Sequence, residues 1–190
     1  MKIDRRKEIV TAATKSFSLF GYKATTMDQV ARLANVGKGT IYTFFKNKEE
    51  LFNEIMTSVI SDMEHVANES IDPNKSFQEN VHLALYNMLE FRREHQLTVK
   101  LVQEEKEIGT PIVQETIKKV EESIIAFLEK KIVRAIERGE IKRVDPKITA
   151  FILLKLYISL IVDWEKKHEP LSKEKIANLF NTYIFKGLSA

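Results

Sequence analysis

The sequence predicts an all-α protein of about nine helices, and three observations carry that prediction. Apolar residues recur at spacings of three and four along nearly the whole chain, the period of helices that bury one face. No stretch alternates apolar and polar residues convincingly enough to be a strand. Glycine and proline, 6 and 4 residues in 190, are too scarce for an all-β fold full of tight turns.

Each element has its own signal. Ile9, Ala12, Ala13, Phe17 and Phe20 form one stripe on a first helix from about Asp4 to Phe20, with Gly21 as its stop. Thr26, followed three residues on by Gln29, is a capping-box start for a second helix to about Ala34, which buries Val30, Ala31 and Ala34. Asn35-Val36-Gly37 is a break, and Asn is the non-glycine residue best able to take a left-handed turn conformation. A short third helix runs from about Lys38 to Phe44, with Ile41 and Phe45 inward. Asn47 and Glu50 make a second capping box, opening a fourth helix to about Asn68. After Asp72-Pro73 a fifth helix covers about Asn74 to His95, with Phe77, Val81, Leu85, Met88 and Leu89 inward, and a shorter one covers Leu97 to Glu107. Thr110-Pro111 and Asp145-Pro146 each place an N-cap before proline at the first helical position. The first opens a long helix ending near Arg138-Gly139, the second the most hydrophobic helix, to about Lys167. Pro170 stops that helix, and Ser172 starts the last one, to Gly187.

Charge divides the chain. Overall, 30 Lys and Arg face 27 Asp and Glu, a formal +3. Residues 1–52 hold ten basic side chains against five acidic ones (Asp4, Glu8, Asp28, Glu49, Glu50), and the remaining 138 residues hold 20 against 22. A basic front quarter on a slightly acidic body is expected where one end meets a polyanion. The lack of cysteine excludes a disulfide scaffold and a thiolate zinc site. No two of His65, His82, His95 and His168 stand four residues apart on a helix, so neither a metal nor a cofactor is expected. The N-terminus carries charges where a signal peptide needs its apolar run. The greasiest stretch, Ile148 to Val162, is about 15 residues long and interrupted by Lys155, short of the ~20 that span a bilayer. A cytoplasmic protein with no membrane partner is the expectation. No nucleophile elbow, H-E-x-x-H or paired-carboxylate arrangement points to an enzyme. Gly37-Lys38-Gly39-Thr40 is not a phosphate loop, because the earlier glycine is replaced by Arg32 and no strand precedes it.

The second and third helices form a helix-turn-helix pattern. The first of the pair is small on its inner face, the second is fixed by Ile41 and Phe45, and Val36 plugs the turn. Lys38, Thr40, Tyr42 and Thr43 are left facing outward, donors and an aromatic ring suited to phosphate oxygens, base edges and thymine methyls. Lys46 and Lys48 add charge just beyond, and Thr26 opens the second helix where backbone N–H groups can meet a phosphate.

The run from Thr25 to Leu51, with Ala12-Ala13, Phe17 and Gly21-Tyr22 before it, resembles the DNA-binding signature of the TetR family of bacterial repressors over roughly residues 5–52. The resemblance implies an all-α, ligand-responsive repressor: residues 1–47 the helix-turn-helix DNA-binding domain, 48–190 a helical ligand-binding and dimerisation domain. Its partners would be a palindromic double-stranded DNA operator, a second copy of the chain, and a small-molecule inducer that tilts the fourth helix. By the same resemblance, Thr26, Thr40, Tyr42 and Lys48 would contact phosphates, with Lys46 a weaker candidate, and Lys38, Gly39 and Thr43 would face the bases. Gly39 would allow close backbone approach. Gly37 departs from the family, which often places Ser there; glycine remains a tolerable N-cap, but a hydroxyl–phosphate contact is lost.

Beyond residue 52 only architecture is readable. The helix Ile148–Trp164 is apolar on all faces and is expected to pack on a second subunit, with Ile158 and Ile161 joining Leu179, Phe180 and Tyr183 of the last helix in a four-helix dimer interface. Tyr86, Met88, Phe91, Leu101, Ile117, Tyr157 and Trp164 are candidates to line a cavity for an apolar or amphipathic inducer, against the commoner role of such residues as plain core. Arg92, Arg93, Glu104 and Glu105 fit either a solvated face or the partners of a charged ligand. The alternative function is a ligand-independent architectural DNA-binding protein of the same fold.

Overall fold

The structure is a computed structural model that describes residues 4–94 and 96–186, without the side chains of residues 92–94. Those residues form nine α-helices: α1 (Arg5–Ala24), α2 (Met27–Leu33), α3 (Lys38–Phe44), α4 (Lys48–Glu69), α5 (Phe77–Glu94), α6 (Leu97–Ile108), α7 (Pro111–Glu137), α8 (Pro146–Ile158) and α9 (Lys173–Phe180). The all-α expectation holds. The helix ends expected at His95 and Gly187 lie outside the described residues.

Local chemistry sets the helix starts. Asp4, Thr26, Asp145 and Ser172 each accept from the backbone N–H three residues on, at 2.9–3.2 Å. Asn47 accepts from Glu50 N–H at 2.8 Å, and the Glu50 carboxylate reaches back to Lys46 N–H at 2.7 Å. Three boundaries differ from expectation. Gly21 breaks the helical backbone where a stop is expected, with φ 81° and ψ 174°, but one more turn beyond this kink carries α1 on to Ala24. The fifth helix starts at Phe77 rather than Asn74, because Ser76 and Glu79 cap it reciprocally, at 2.9 and 3.3 Å. The eighth helix gives way to a π-helical turn over Ser159–Asp163, where Trp164 N–H reaches Ser159 O five residues back, so it does not continue to Lys167. A second such turn, Asn181–Phe185, follows α9.

The chain forms two compact units. The first combines residues 4–62 with 96–117 and therefore holds α1–α3, most of α4, and α6. Its centre is an aromatic trio: Phe52 meets Phe17 and Tyr22 edge-on, with ring centroids 5.4 and 4.8 Å away, and Phe17 stacks on Tyr22 at 5.8 Å. Ile9, Ile41, Phe45, Leu51, Ile55 and Leu101 complete a core sealed from water. Each such side chain contributes about 1.5–3 kcal/mol by burial. Arg6 ties the start of α1 down, bridging to Glu54 with both terminal guanidinium nitrogens and lying over the Phe45 ring.

The second unit combines residues 63–94 with 118–186. Here α9 packs on α5, around buried Leu89, Ile132, Ile161, Phe180 and Phe185. The Glu140 carboxylate accepts from Phe77 N–H at 2.6 Å at the start of α5. Lys173 joins α9 to α5 through Glu90 at 2.9 Å.

Candidate nucleic-acid interface

The turn between α2 and α3 is built by backbone geometry. Asn35 takes φ 51°, the left-handed conformation expected of it. Val36 N–H then reaches Ala31 O at 3.0 Å, and Asn35 N–H reaches Arg32 O at 3.1 Å, so the carbonyls at the end of α2 are satisfied as the chain reverses. Ile41 and Phe45 are buried and Val36 half-buried, which fixes the rotation of α3 about its axis. With those positions inward, Lys38, Gly39, Tyr42 and Thr43 are exposed and Thr40 half-exposed. Thr26 and Lys46 are exposed as well. A Cβ added at Gly39 would meet nothing within 4 Å, so the backbone there lies open to a large partner.

Three polar arrangements organise this surface. Lys38 on α3 donates to Asp28 on α2 at 2.9 Å. That hydrogen bond, and then the carboxylate's charge, hold the lysine pKa above its ordinary value. The Thr43 hydroxyl donates to Thr40 O at 2.7 Å, which leaves its oxygen free to accept. Lys48 differs from the other candidates. Its ammonium donates to Tyr22 O and Thr25 O, both at 2.8 Å, and sits 4.2 Å over the Tyr22 ring. Burial pulls its pKa below the usual lysine value, against the opposing charge of Glu104. In this conformation Lys48 braces the α1–α2 junction.

Glu104 is the residue that sequence reasoning missed. It was open between a solvated face and a ligand partner, yet its carboxylate is buried in the first unit. It accepts from Tyr22 N–H at 2.6 Å, Lys23 N–H at 3.0 Å and the Thr110 hydroxyl at 2.8 Å. The kink at Gly21 turns those two amides toward α6. Next to it, Thr25 donates to Gly21 O at 2.8 Å and pairs with Ser16 at 3.0 Å, so the buried polar groups of the junction are matched. A glutamate five residues before a glycine carries no local signal for this role; only the distant pairing reveals it.

The profile of the bacterial regulatory proteins of the tetR family matches residues 9–55, and that of the tetracyclin repressor-like C-terminal domain matches residues 74–188. The uncharacterized HTH-type transcriptional regulator YhgD of Bacillus subtilis (strain 168) is 61% identical over 190 residues, covering 100% of both chains. The chain belongs to the TetR family. This TetR-family transcriptional regulator shares its fold with SmeT in complex with triclosan, at TM-score 0.80 and 20% identity over 99% of this chain and 93% of that one. It likewise matches AibR in complex with isovaleryl coenzyme A and operator DNA, at TM-score 0.73 and 22% identity over 94% and 97% of the two chains.

The remaining candidates of this TetR-family chain are spread out. Leu101 and Ile117 are buried in the first unit, while Tyr86, Met88, Phe91, Tyr157 and Trp164 belong to the second. Tyr86 is engaged at its rim: Lys173 lies 4.2 Å over its ring and its hydroxyl donates to Glu174 at 3.3 Å. Trp164 is exposed, stacked on His168 at 4.0 Å and donating to Glu169 O at 3.1 Å. Met88, Phe91 and Tyr157 are half-buried. Ile161 and Phe180 are buried within the chain's own core, Ile158 and Leu179 are half-buried, and Tyr183 is 72% exposed. Ile148, Phe151 and Ile152, one face of α8, are also exposed. Among the described residues, no cluster of His, Asp or Glu could hold a metal, and no helix is long and apolar enough to cross a membrane.

Proposed function

We propose that this regulator is a ligand-responsive repressor that binds a palindromic operator as a homodimer and leaves it when a small molecule binds. Residues 1–47 would carry DNA recognition, and 48–190 ligand binding and dimerisation. The observation that carries the reading is the outer face of α3, where Lys38, Gly39, Tyr42 and Thr43 lie open above a buried Ile41 and Phe45. Lys38, Gly39 and Thr43 face the bases, and Thr26, Thr40, Tyr42 and Lys46 contact phosphates. Lys48 keeps one N–H for a phosphate beyond the two it gives to Tyr22 and Thr25.

Two copies would set their recognition helices about 34–36 Å apart, one turn of DNA. The exposed Ile148, Phe151 and Ile152 of α8, with Ile158, Leu179 and Tyr183, supply apolar surface for such a dimer. An apolar or amphipathic inducer, for which Met88, Phe91 and Tyr157 are the best-placed candidates, would act by binding the DNA-incompetent geometry more tightly and tilting α4. Triclosan and isovaleryl coenzyme A on two proteins of this fold support that class of ligand.

Selection of duplexes from a randomised pool, followed by mobility shift at several salt concentrations, tests the reading. The expected result is an enriched palindrome whose affinity falls steeply as salt rises, because each phosphate contact releases counterions. Enrichment of no duplex below about 0.1 M salt would overturn it.

Gly39 yields a separate expectation. Gly39→Ala fills open space on a helix and should raise stability by about 0.5–1 kcal/mol. The same methyl stands where DNA must approach, so operator affinity should fall while the melting temperature rises. A variant that gains stability and binds unchanged would remove Gly39 from the contact surface.

A further inference from the structure

The ion pair between Asp28 and Lys38 links α2 to the recognition helix on the face assigned to DNA. Lys38 Nζ and Asp28 Oδ2 are 2.9 Å apart, and their side chains remain 68% and 52% exposed. An exposed pair of this kind does little for stability. The carboxylate is also the wrong sign for a surface that meets phosphates, since the backbone repels it whatever the sequence. A carboxylate can, however, accept a hydrogen bond from a base amino group, and in the major groove cytosine N4 is the donor that Asp and Glu accept from. The guanine paired with it offers O6 and N7 to a lysine. Cytosine N4 and guanine O6 are hydrogen-bonded to each other, so this donor and acceptor stand about 2.9 Å apart on the groove edge. Lys38 and Asp28 present the complementary donor and acceptor at that same spacing.

We propose that Asp28 is a second base reader, and that Asp28 and Lys38 together recognise one C·G pair in each half-site. Asp28 accepts from cytosine N4 while Lys38 donates to guanine O6 and N7, closing a ring of hydrogen bonds with the ion pair and the base pair. A T·A pair also sets a donor beside an acceptor, but thymine places its methyl where guanine offers N7, and the lysine loses its second acceptor. The ion pair holds the lysine head beside Asp28 before DNA arrives, which lowers the cost of ordering it. Asp28 thus discriminates by being repelled everywhere except opposite an amino group. The inference rests on the assignment of α3 to the major groove.

The test is the selected palindrome together with a set of duplexes in which each base pair is changed in turn, measured with the full-length wild type, Asp28→Ala, Lys38→Ala and the double variant. Both residues are exposed, and circular dichroism and thermal unfolding confirm that each variant is folded. Each single variant should lose on the order of tenfold preference per half-site for the same C·G pair. The double variant should lose little more than either single one, as expected of groups that act together. A uniform change in affinity for all duplexes on removing Asp28, with base preferences intact, would overturn the proposal, as would relaxation of different positions by the two variants. Both of those outcomes leave DNA recognition by α3 standing. A wild type that enriches no duplex overturns DNA recognition itself, and this inference with it.

Discussion

Gly21→Ala is expected to destabilise the protein by about 2–6 kcal/mol, from two costs that add. The backbone at φ 81° and ψ 174° lies in a region that is essentially glycine's own, where an alanine costs roughly 1–3 kcal/mol. An added Cβ would also collide with Glu104 Oε2. That oxygen cannot swing aside cheaply, because it is buried and accepts from Tyr22 N–H, so moving it leaves a buried donor unmatched at about 1–3 kcal/mol. Urea unfolding followed by circular dichroism measures the loss. A change under about 0.5 kcal/mol, the range of an ordinary surface substitution, would show that the kink is not held as described. Gly39→Ala is the internal control, since the same substitution there should move stability the other way.

Glu104→Ala should cost about 3–5 kcal/mol, the penalty for removing one partner of a buried charged network. Tyr22 N–H, Lys23 N–H and the Thr110 hydroxyl all lose their acceptor at once. Glu104→Gln keeps one carbonyl oxygen but turns an amide NH2 toward the second N–H, so it should fall between wild type and alanine. The penalty should depend on pH, and its sign follows from two neighbours. Burial lowers the Lys48 pKa in the fold, so the unfolded chain binds its proton more tightly and stability from this group rises as pH approaches 10.5. Glu104 opposes that lowering, and its removal enlarges the effect. Tyr22 is raised above 10.0 by burial, Glu49 and Glu104, so its contribution is lost as pH climbs past that value, and less so without Glu104. Both trends narrow the gap between variant and wild type toward alkaline pH. A gap that widens as pH rises from about 8 toward the ordinary tyrosine and lysine values contradicts the arrangement.

Much of the fold was legible because its signals are local. Thr26 with Gln29, Asn47 with Glu50, and Asp145 before Pro146 each announce a helix start within four residues, and all three cap as expected. Asn35 in a left-handed turn and the buried Ile41 and Phe45 made the outer face of α3 readable as well. What stayed hidden depends on distant partners. Glu104 meets Tyr22 across 82 residues of sequence and sits in a run of charged residues that looks solvated. Lys48 reads as one more surface cation until Tyr22 and Thr25 are seen to fold beneath it. Asp28 and Lys38 lie ten residues apart on different helices, and only the turn at Asn35 brings them into contact. Asp72-Pro73 is a conspicuous break that points to a start at Asn74, whereas the capping pair Ser76 and Glu79, which sets the start three residues later, follows it unobtrusively.

The helix-turn-helix does not pack as a front piece of the chain by itself. Its compact unit combines residues 96–117 with 4–62, and one of the returning residues is Glu104. A nascent chain therefore has its first three helices outside the ribosome well before the carboxylate that fastens the bend at Gly21 has been synthesised. Through that interval the Tyr22 and Lys23 amides bond to water, and the bend at Gly21 is fastened only once residue 104 has emerged.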